Sequence, residues 1–151
     1  MTRLKNWMSL VLTIVLAYFM IKGGVAKFIG SSHHKHQDHH EEVVKTEAEV
    51  AKKAEYTEMK KKYIGGLKAT NYMWHLLGVI ELLGGLLILY RPLALTGALI
   101  LMPITINIFL FHLFLEPNEI GELILTALLL LINLQILWNR RDLLMPVVWA
   151  K

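Results

Sequence analysis

Four long apolar segments constrain this chain more than any other feature of its sequence. An α-helix needs about 20 apolar residues to cross the hydrocarbon core of a bilayer. Segments of that length cover residues 7–27, 71–90, 93–115 and 120–138. They lack the two-residue alternation of barrel strands, and only helices or closed barrels satisfy all backbone polar groups in lipid. The sequence therefore predicts a single all-α membrane domain over residues 1–151.

The distribution of charge supports this prediction better than the overall composition does. The mean hydropathy is +0.47, and the hydrophobic fraction of 55% is only a little above that of soluble proteins. Charged side chains are sparse between Tyr72 and Asn139, too few to give water-soluble helices polar outer faces. The chain has no cysteine, which excludes disulfides, thiol catalysis and iron–sulfur clusters.

The links between segments predict how the helices are connected. Arg91–Pro92 and residues 116–121 are short enough to force antiparallel neighbours, which predicts an up-down four-helix bundle. Residues 28–70 form the one large insertion, a long charged loop that begins rich in histidine and continues as a partly helical stretch of Glu and Lys. We interpret this stretch as a solvated helix laced with i,i+4 pairs, in preference to a helix lying on lipid headgroups.

The basic residues predict the orientation in the membrane. The arginines, Arg3, Arg91, Arg140 and Arg141, would all lie on the side of the chain termini. The insertion carries eight lysines, but seven acidic residues balance them, so we predict that both termini are cytoplasmic. The net charge of +4 then reflects topology and contact with the lipid bilayer, and no nucleic-acid partner is predicted. Residues 1–26 also resemble a signal peptide, but we expect the segment to be retained.

Polar residues within the apolar segments are the candidates for a functional site. Glu81 lies near the middle of the second segment and shares a helical face with Gly78 and Gly85. A carboxylate in lipid is costly, so Glu81 is expected to face the bundle. It is either a buried hydrogen-bond anchor or, in the interpretation we favour, a proton relay or ligand contact. Asn133, in the fourth segment, is expected to hydrogen-bond between helices.

Two lysines follow the apolar part of the first segment. Lysines near helix ends usually extend toward the membrane surface. Lys22 or Lys27 could instead turn inward and pair with Glu81 or Glu116. Because Lys22 lies deeper, we expect it to be the inward charge, and we keep Lys27 as a candidate site residue.

The third segment contains an amide and an imidazole among aliphatic and aromatic residues. Asn107 lies one turn after Pro103, so we expect it to face inward and hydrogen-bond across the bundle. His112 is expected to pair with Glu116 near the membrane surface. His75, one turn into the second segment, would lie at the same membrane face as His112, under the insertion. Together they would form the mouth of a site.

The insertion contains a tract of histidines at residues 33–40. Imidazole nitrogen suits zinc and copper, but the spacing defines no closed site. We consider metal binding here alongside a flexible, pH-responsive tract. The candidate ligands are His33, His34, His36, His39 and His40.

Three motifs resemble those of the DoxX-like family of small bacterial membrane proteins. They are Gly24-x-x-Lys27, the Glu-Leu-x-Gly-Gly stretch from Glu81 to Gly85, and Pro103-x-x-x-Asn107-x-x-x-x-His112. The resemblance covers most of the chain except about 31–66. It implies a four-helix bundle in the bacterial inner membrane. The family is named after a subunit of a thiosulfate:quinone oxidoreductase, and most of its members have no assigned reaction.

Three hypotheses for the function follow, and no catalytic residue or enzymatic reaction is assigned. The first is an accessory membrane subunit that binds a hydrophobic small molecule or the membrane helices of other subunits, or forms a homo-oligomer. The second is the membrane component of a quinone-linked oxidoreductase system, although no flavin or haem motif is present. The third is a metal-handling protein using the histidine tract. In the first, the site residues are Glu81, Asn107, His75, His112 and Lys27.

Overall fold

The computed structural model of the chain describes residues 2–29 and 47–143, and within these ranges all regular structure is helical. A single 3-10 turn, Arg91–Leu93, separates the third helix from the fourth. The α-helices are α1 (Thr2–Ile29), α2 (Glu47–Ala69), α3 (Met73–Leu89), α4 (Ala94–Leu115) and α5 (Ile120–Asn139).

Three helical stretches are individually long and apolar enough to cross a membrane: Trp7–Ile29, Arg91–Leu115 and Ile120–Asn139. Helix α3 has 17 residues and is therefore about 26 Å long, slightly less than the hydrocarbon core of about 30 Å. It meets α2 at an angle of 89°, and counting this bent pair as one span gives up to four. The all-helical class predicted from the sequence is thus confirmed, and three to four of the helices are candidate membrane spans.

The apolar helices pack against one another in chain order. Helix α3 contacts α1 and α4, and α5 contacts α4 and α1. Helices α1 and α3 run antiparallel, since Gly24 lies beside Gly78 while Gly85 lies beside Ala17. We call α1, α3, α4 and α5 the helical bundle. Its centre is filled by aliphatic side chains from all four helices, including Leu16, Ile88, Leu101 and Ile132.

The outer surface of the bundle carries many large hydrophobic side chains. Leu83, Leu86 and Leu131 are 52%, 56% and 59% exposed, respectively. A water-soluble monomer does not present an apolar surface of this extent. These are the side chains that a surrounding bilayer would cover.

Glycines allow the helices of the bundle to approach closely. A Cβ atom on Gly97 of α4 would lie 2.7 Å from the backbone nitrogen of Ile88 and 2.9 Å from the carbonyl oxygen of Gly84. On Gly24 of α1, it would lie 2.8 Å from the carbonyl oxygen of Gly78. Close backbone approach of this kind drives helix association where lipid removes the hydrophobic effect.

Helix α2 lies across one end of the bundle, which we call the α2 end. It contacts α3 and α4, and the sharp corner to α3 falls at Thr70–Tyr72. Asn71 adopts a left-handed backbone conformation there, with φ of 59°. Asparagine tolerates this region better than most residues with a side chain. The corner is closed by a hydrogen bond from the Asn71 N–H to the carbonyl oxygen of Lys68, at 3.1 Å.

Asn133 joins α5 to α4 as predicted from the sequence. The residue is fully buried, and its amide contacts the Thr105 hydroxyl at 3.2 Å. In the orientation that satisfies both amide atoms, Nδ2 donates to the carbonyl oxygen of Ala98 at 3.2 Å, while Oδ1 accepts from the backbone N–H of Met102 at 3.3 Å. One side chain of α5 thus contacts both backbone and side-chain polar groups of α4, next to Pro103.

Replacing Asn133 by leucine is expected to destabilise the α4–α5 contact by about 1–2 kcal/mol, because polar groups of α4 lose a partner in the apolar interior of the bundle. Gln135→Leu is the matched control, since Gln135 is an exposed amide on the same helix. Equilibrium unfolding in mixed detergent micelles measures the difference. Equal stability of the two variants would contradict the role given to Asn133.

Candidate functional site

Glu81 is a carboxylate inside the apolar bundle. Only 1% of its surface is exposed, and the buried Gly78 and Gly85 share its face of α3. This face packs against α1, because a side chain on Gly78 would contact Lys27 and Phe28 and one on Gly85 would contact Ile21. Glu81 therefore faces the bundle, as the cost of placing a carboxylate in lipid predicts.

Lys27 supplies the charge that pairs with Glu81. Its Nζ atom lies 2.6 Å from Oε2 of Glu81 and donates at 3.4 Å to the carbonyl oxygen of Gly23. The expectation that the deeper Lys22 turns inward is wrong, since Lys22 is exposed. The two lysines are five positions apart in the sequence, which places them about 140° apart around a helix. Only Lys27 lies on the α1 face that Gly24 and Met20 bury against the bundle.

Gly23 contributes space to this pair. A Cβ atom at this position would lie 3.2 Å from Oε2 of Glu81, closer than nearly all real contacts of this kind. The missing side chain leaves Oε2 accessible to the Lys27 ammonium group. Oε1, the other carboxylate oxygen, is buried and has no hydrogen-bond partner among the described residues. The carboxylate is thus half satisfied, with one oxygen available as an acceptor.

Trp74 joins the ion pair to the α2 end. The Lys27 ammonium lies 5.4 Å from the centre of the Trp74 ring, and the Lys68 ammonium lies 4.9 Å from it. Both distances are within the range of cation–π attraction. Because Lys68 is in the last turn of α2, Trp74 connects the Lys27–Glu81 pair with the helix that covers this end.

A second polar group lies where α2 crosses α4. Glu116 pairs with Lys60 of α2, and its Oε2 lies 2.9 Å from Nδ1 of His112. The predicted pairing of His112 with Glu116 is confirmed. The Tyr63 hydroxyl of α2 donates to Oδ1 of Asn107 at 2.7 Å, and its ring lies 5.5 Å from that of Phe111. These contacts hold α2 against the last turns of α4.

Asn107 does not occupy the position predicted from the sequence. It is exposed with respect to the bundle and bonds Tyr63, not a group across the bundle. The buried face of α4 runs through Gly97, Leu101 and Thr105, and Asn107 and Pro103 both project away from it. The expectation that Asn107 faces the interior is therefore wrong. Pro103 lies on the outward side of α4, so its position does not identify the packed face.

His75 lies at the α2 end but outside both polar groups. It is exposed, its Nδ1 is 3.1 Å from the carbonyl oxygen of Asn71, and its ring lies 5.7 Å from that of Phe28. His75 and His112 are thus at the same end of the bundle. Among the described residues, no hydrogen bond or ion pair joins Lys27–Glu81 to Asn107 or His112, so the candidate residues form two separate groups.

Sequence reasoning missed the residues of α2 that complete these groups. Lys60, Tyr63 and Lys68 lie in a helix that was predicted to be solvated, yet each contacts the bundle. The sequence does contain one sign that α2 is docked. Tyr56, Tyr63 and Ile64 recur at helical spacing in a stretch otherwise dominated by charge. This pattern is typical of a helix with one docked face.

The predicted metal ligands, His33, His34, His36, His39 and His40, lie outside the described residues. Within residues 2–29 and 47–143, no group of three or more His, Asp or Glu side chains is close enough to hold a metal ion.

Comparison of the chain with models of known families, with curated proteins and with solved structures finds no match.

Proposed function

We propose that this chain is a multi-pass protein of the bacterial inner membrane, an up-down four-helix bundle that acts as an accessory subunit. In this proposal, the Lys27–Glu81 pair recognises the polar head of a hydrophobic small molecule or a polar group on a partner's membrane helix. The observation that carries the proposal is the buried pair itself, with one carboxylate oxygen left as an acceptor.

The energetic cost of the pair supports a role in recognition. Placing two charges in a low-dielectric interior costs several kcal/mol per ion, and a matched apolar pair is often as stable or more stable. Ionisable residues within membrane segments are rare and usually mark sites of binding or transport. Packing α1 against α3 does not require Glu81, since the glycine contacts at Gly24 and Gly78 already bring the two helices together.

The chemistry of the pair defines the ligand class. Oε1 of Glu81 can accept a hydrogen bond from a hydroxyl or an amide N–H, and the Lys27 ammonium, whose side chain is 14% exposed, can donate to a carbonyl oxygen. Leu82 and Phe28 supply apolar surface beside the pair. The ligand is therefore mostly apolar, with a small polar head. A quinone is a molecule of this kind, and the capture experiment described below would detect it.

The orientation follows from the basic residues. Arg91, Arg140 and Arg141 lie at the end of the bundle opposite α2, in the links or turns that follow α3 and α5. The positive-inside rule places this end, with both termini, in the cytoplasm. Helix α2 then covers the opposite membrane face.

The test is capture of the intact protein from native membranes in mild detergent, followed by mass spectrometry of co-purifying small molecules and membrane proteins. Four forms are compared: wild type, Glu81→Gln, Lys27→Met and the control Lys22→Met. A molecule or subunit bound at the pair should fall at least tenfold in the first two variants, since one hydrogen bond to a charged group contributes about 1.5–3 kcal/mol. It should be retained in Lys22→Met. Equal recovery from all four forms would refute binding at the pair.

A further inference from the structure

A cleft lies at the end of the bundle opposite α2, between the first half of α1, the end of α3, the start of α4 and the end of α5. Its volume is about 390 Å³. The polar groups that line it include two guanidinium groups, two hydroxyls and one amide, from Arg91, Arg140, Ser9, Thr13 and Asn139. The cleft is separate from the Lys27–Glu81 pair, and its lining shares no residue with that site.

The remaining lining of the cleft is aliphatic. Leu10 of α1, Ile88 and Leu89 of α3, Ala94 of α4 and Ile136 of α5 form its walls. Ile88, Ala94 and Ile136 are buried in the bundle. The cleft therefore combines a cationic rim with an apolar wall, the division of polarity found in an amphiphilic ligand.

Aromatic residues place this cleft at the depth of the lipid headgroups. Trp7, Tyr90 and Trp138 are largely exposed at the same end of the bundle. Tryptophan and tyrosine concentrate at membrane–water interfaces. The guanidinium of Arg141 lies 5.0 Å from the centre of the Trp138 ring, whereas Arg91 and Arg140 line the cleft.

The charge of the cleft is not neutralised by the described part of the chain. Among the side chains that the structure describes, no acidic one lines the cleft, and neither Arg91 nor Arg140 forms an ion pair. Guanidinium groups match phosphate oxygens with two parallel hydrogen bonds. The hydroxyls and the amide of the lining add neutral hydrogen-bonding groups around the same space.

We propose that this cleft binds one anionic phospholipid, with the phosphate at Arg91 and Arg140 and an acyl chain along Leu10 and Ile136. Free phosphate would use the same guanidinium groups but gains nothing from the aliphatic walls, so the lining favours the lipid. Anionic lipids are attracted to basic segments beside membrane helices. The inference concerns a second site, and it does not depend on the ligand proposed for Lys27–Glu81.

Native mass spectrometry of the purified full chain tests the proposal, with phosphatidylglycerol or phosphatidylcholine added to delipidated protein. Wild type is compared with the Arg91→Gln/Arg140→Gln double variant and with the control Arg141→Gln. We expect wild type and Arg141→Gln to retain phosphatidylglycerol with at least tenfold preference over phosphatidylcholine. The double variant should lose this preference. Unchanged preference in the double variant, or an equal loss in Arg141→Gln, would overturn the assignment.

Two further measurements identify the source of the phosphate and keep the test valid if a variant misfolds. Inorganic phosphate at a tenfold molar excess should not displace the lipid from wild type, and complete displacement would show a free-phosphate site instead. In the unmodified chain, a phosphatidylglycerol with a photoreactive acyl chain should crosslink to the walls of the cleft, near Leu10 or Ile136. Crosslinks confined to other surfaces would overturn the proposal without any substitution.

Discussion

Gly97→Ala is expected to destabilise the protein by about 2–4 kcal/mol, although it adds a single methyl group. The added Cβ atom would lie 2.7 Å from the Ile88 nitrogen and 2.9 Å from the Gly84 oxygen. Both are backbone atoms of a rigid helix, so neither can move aside as a flexible side chain would. Overpacking that forces a backbone shift costs about 1–3 kcal/mol and occasionally more, and separating α3 from α4 also loses close contacts along both helices.

The control for this prediction is Gly66→Ala in α2. A Cβ atom there would meet nothing within 4 Å, and alanine favours a helix over glycine by up to about 1 kcal/mol. Equilibrium unfolding in mixed micelles should therefore show Gly66→Ala at or above wild-type stability and Gly97→Ala well below it. Similar stability of the two variants would show that α3 and α4 do not approach as closely as described.

Lys27→Met is expected to destabilise the protein by about 3 kcal/mol or more. Removal of the lysine leaves the Glu81 carboxylate buried without its partner, and breaking a buried ion pair in this way costs about 3–5 kcal/mol. The double variant Lys27→Met/Glu81→Leu should recover most of that loss, because neither buried charge remains. A double-mutant cycle of unfolding free energies separates the interaction from the individual costs.

Lys22→Met is the matched control for this cycle. It removes the same charge from the same helix at an exposed position, so its effect is expected to stay within about 0.5 kcal/mol. If Lys27→Met were as stable as Lys22→Met, the ion pair would not form in the membrane. If the double variant were no more stable than Lys27→Met, the cost would come from lost packing instead of lost charge pairing.

The helices of this chain could be predicted from the sequence because long apolar runs leave few alternatives in lipid. The ends of α3, α4 and α5 lie within two residues of the predicted segments, whereas α1 begins at Thr2, five residues before the predicted start. The burial of Glu81 and Asn133 was also predictable, since a carboxylate or amide surrounded by aliphatic residues is costly in contact with lipid. For both residues, the cost of exposing a polar side chain to lipid determines that the side chain is buried.

The rotation of each helix about its axis was not predictable. In a helix that is apolar on all sides, hydrophobic periodicity does not distinguish the packed face from the lipid face. Glycine contacts determine the rotation of α1 and α4, and this is why Lys27 pairs with Glu81 while Lys22 and Asn107 project elsewhere. The docking of α2 was missed because its contacts involve long-range partners, such as Tyr63 with Asn107.

The corner at Asn71 makes α2 part of a closed frame. Helices α3 and α4 are tied at one end by the three-residue turn Arg91–Leu93. At the other end they are bridged by α2, which is covalently continuous with α3 and bonded to α4 through Tyr63 and Lys60. The two helices are thus braced at both ends, and they cannot splay apart at the α2 end unless the Tyr63 and Lys60 bonds are released first.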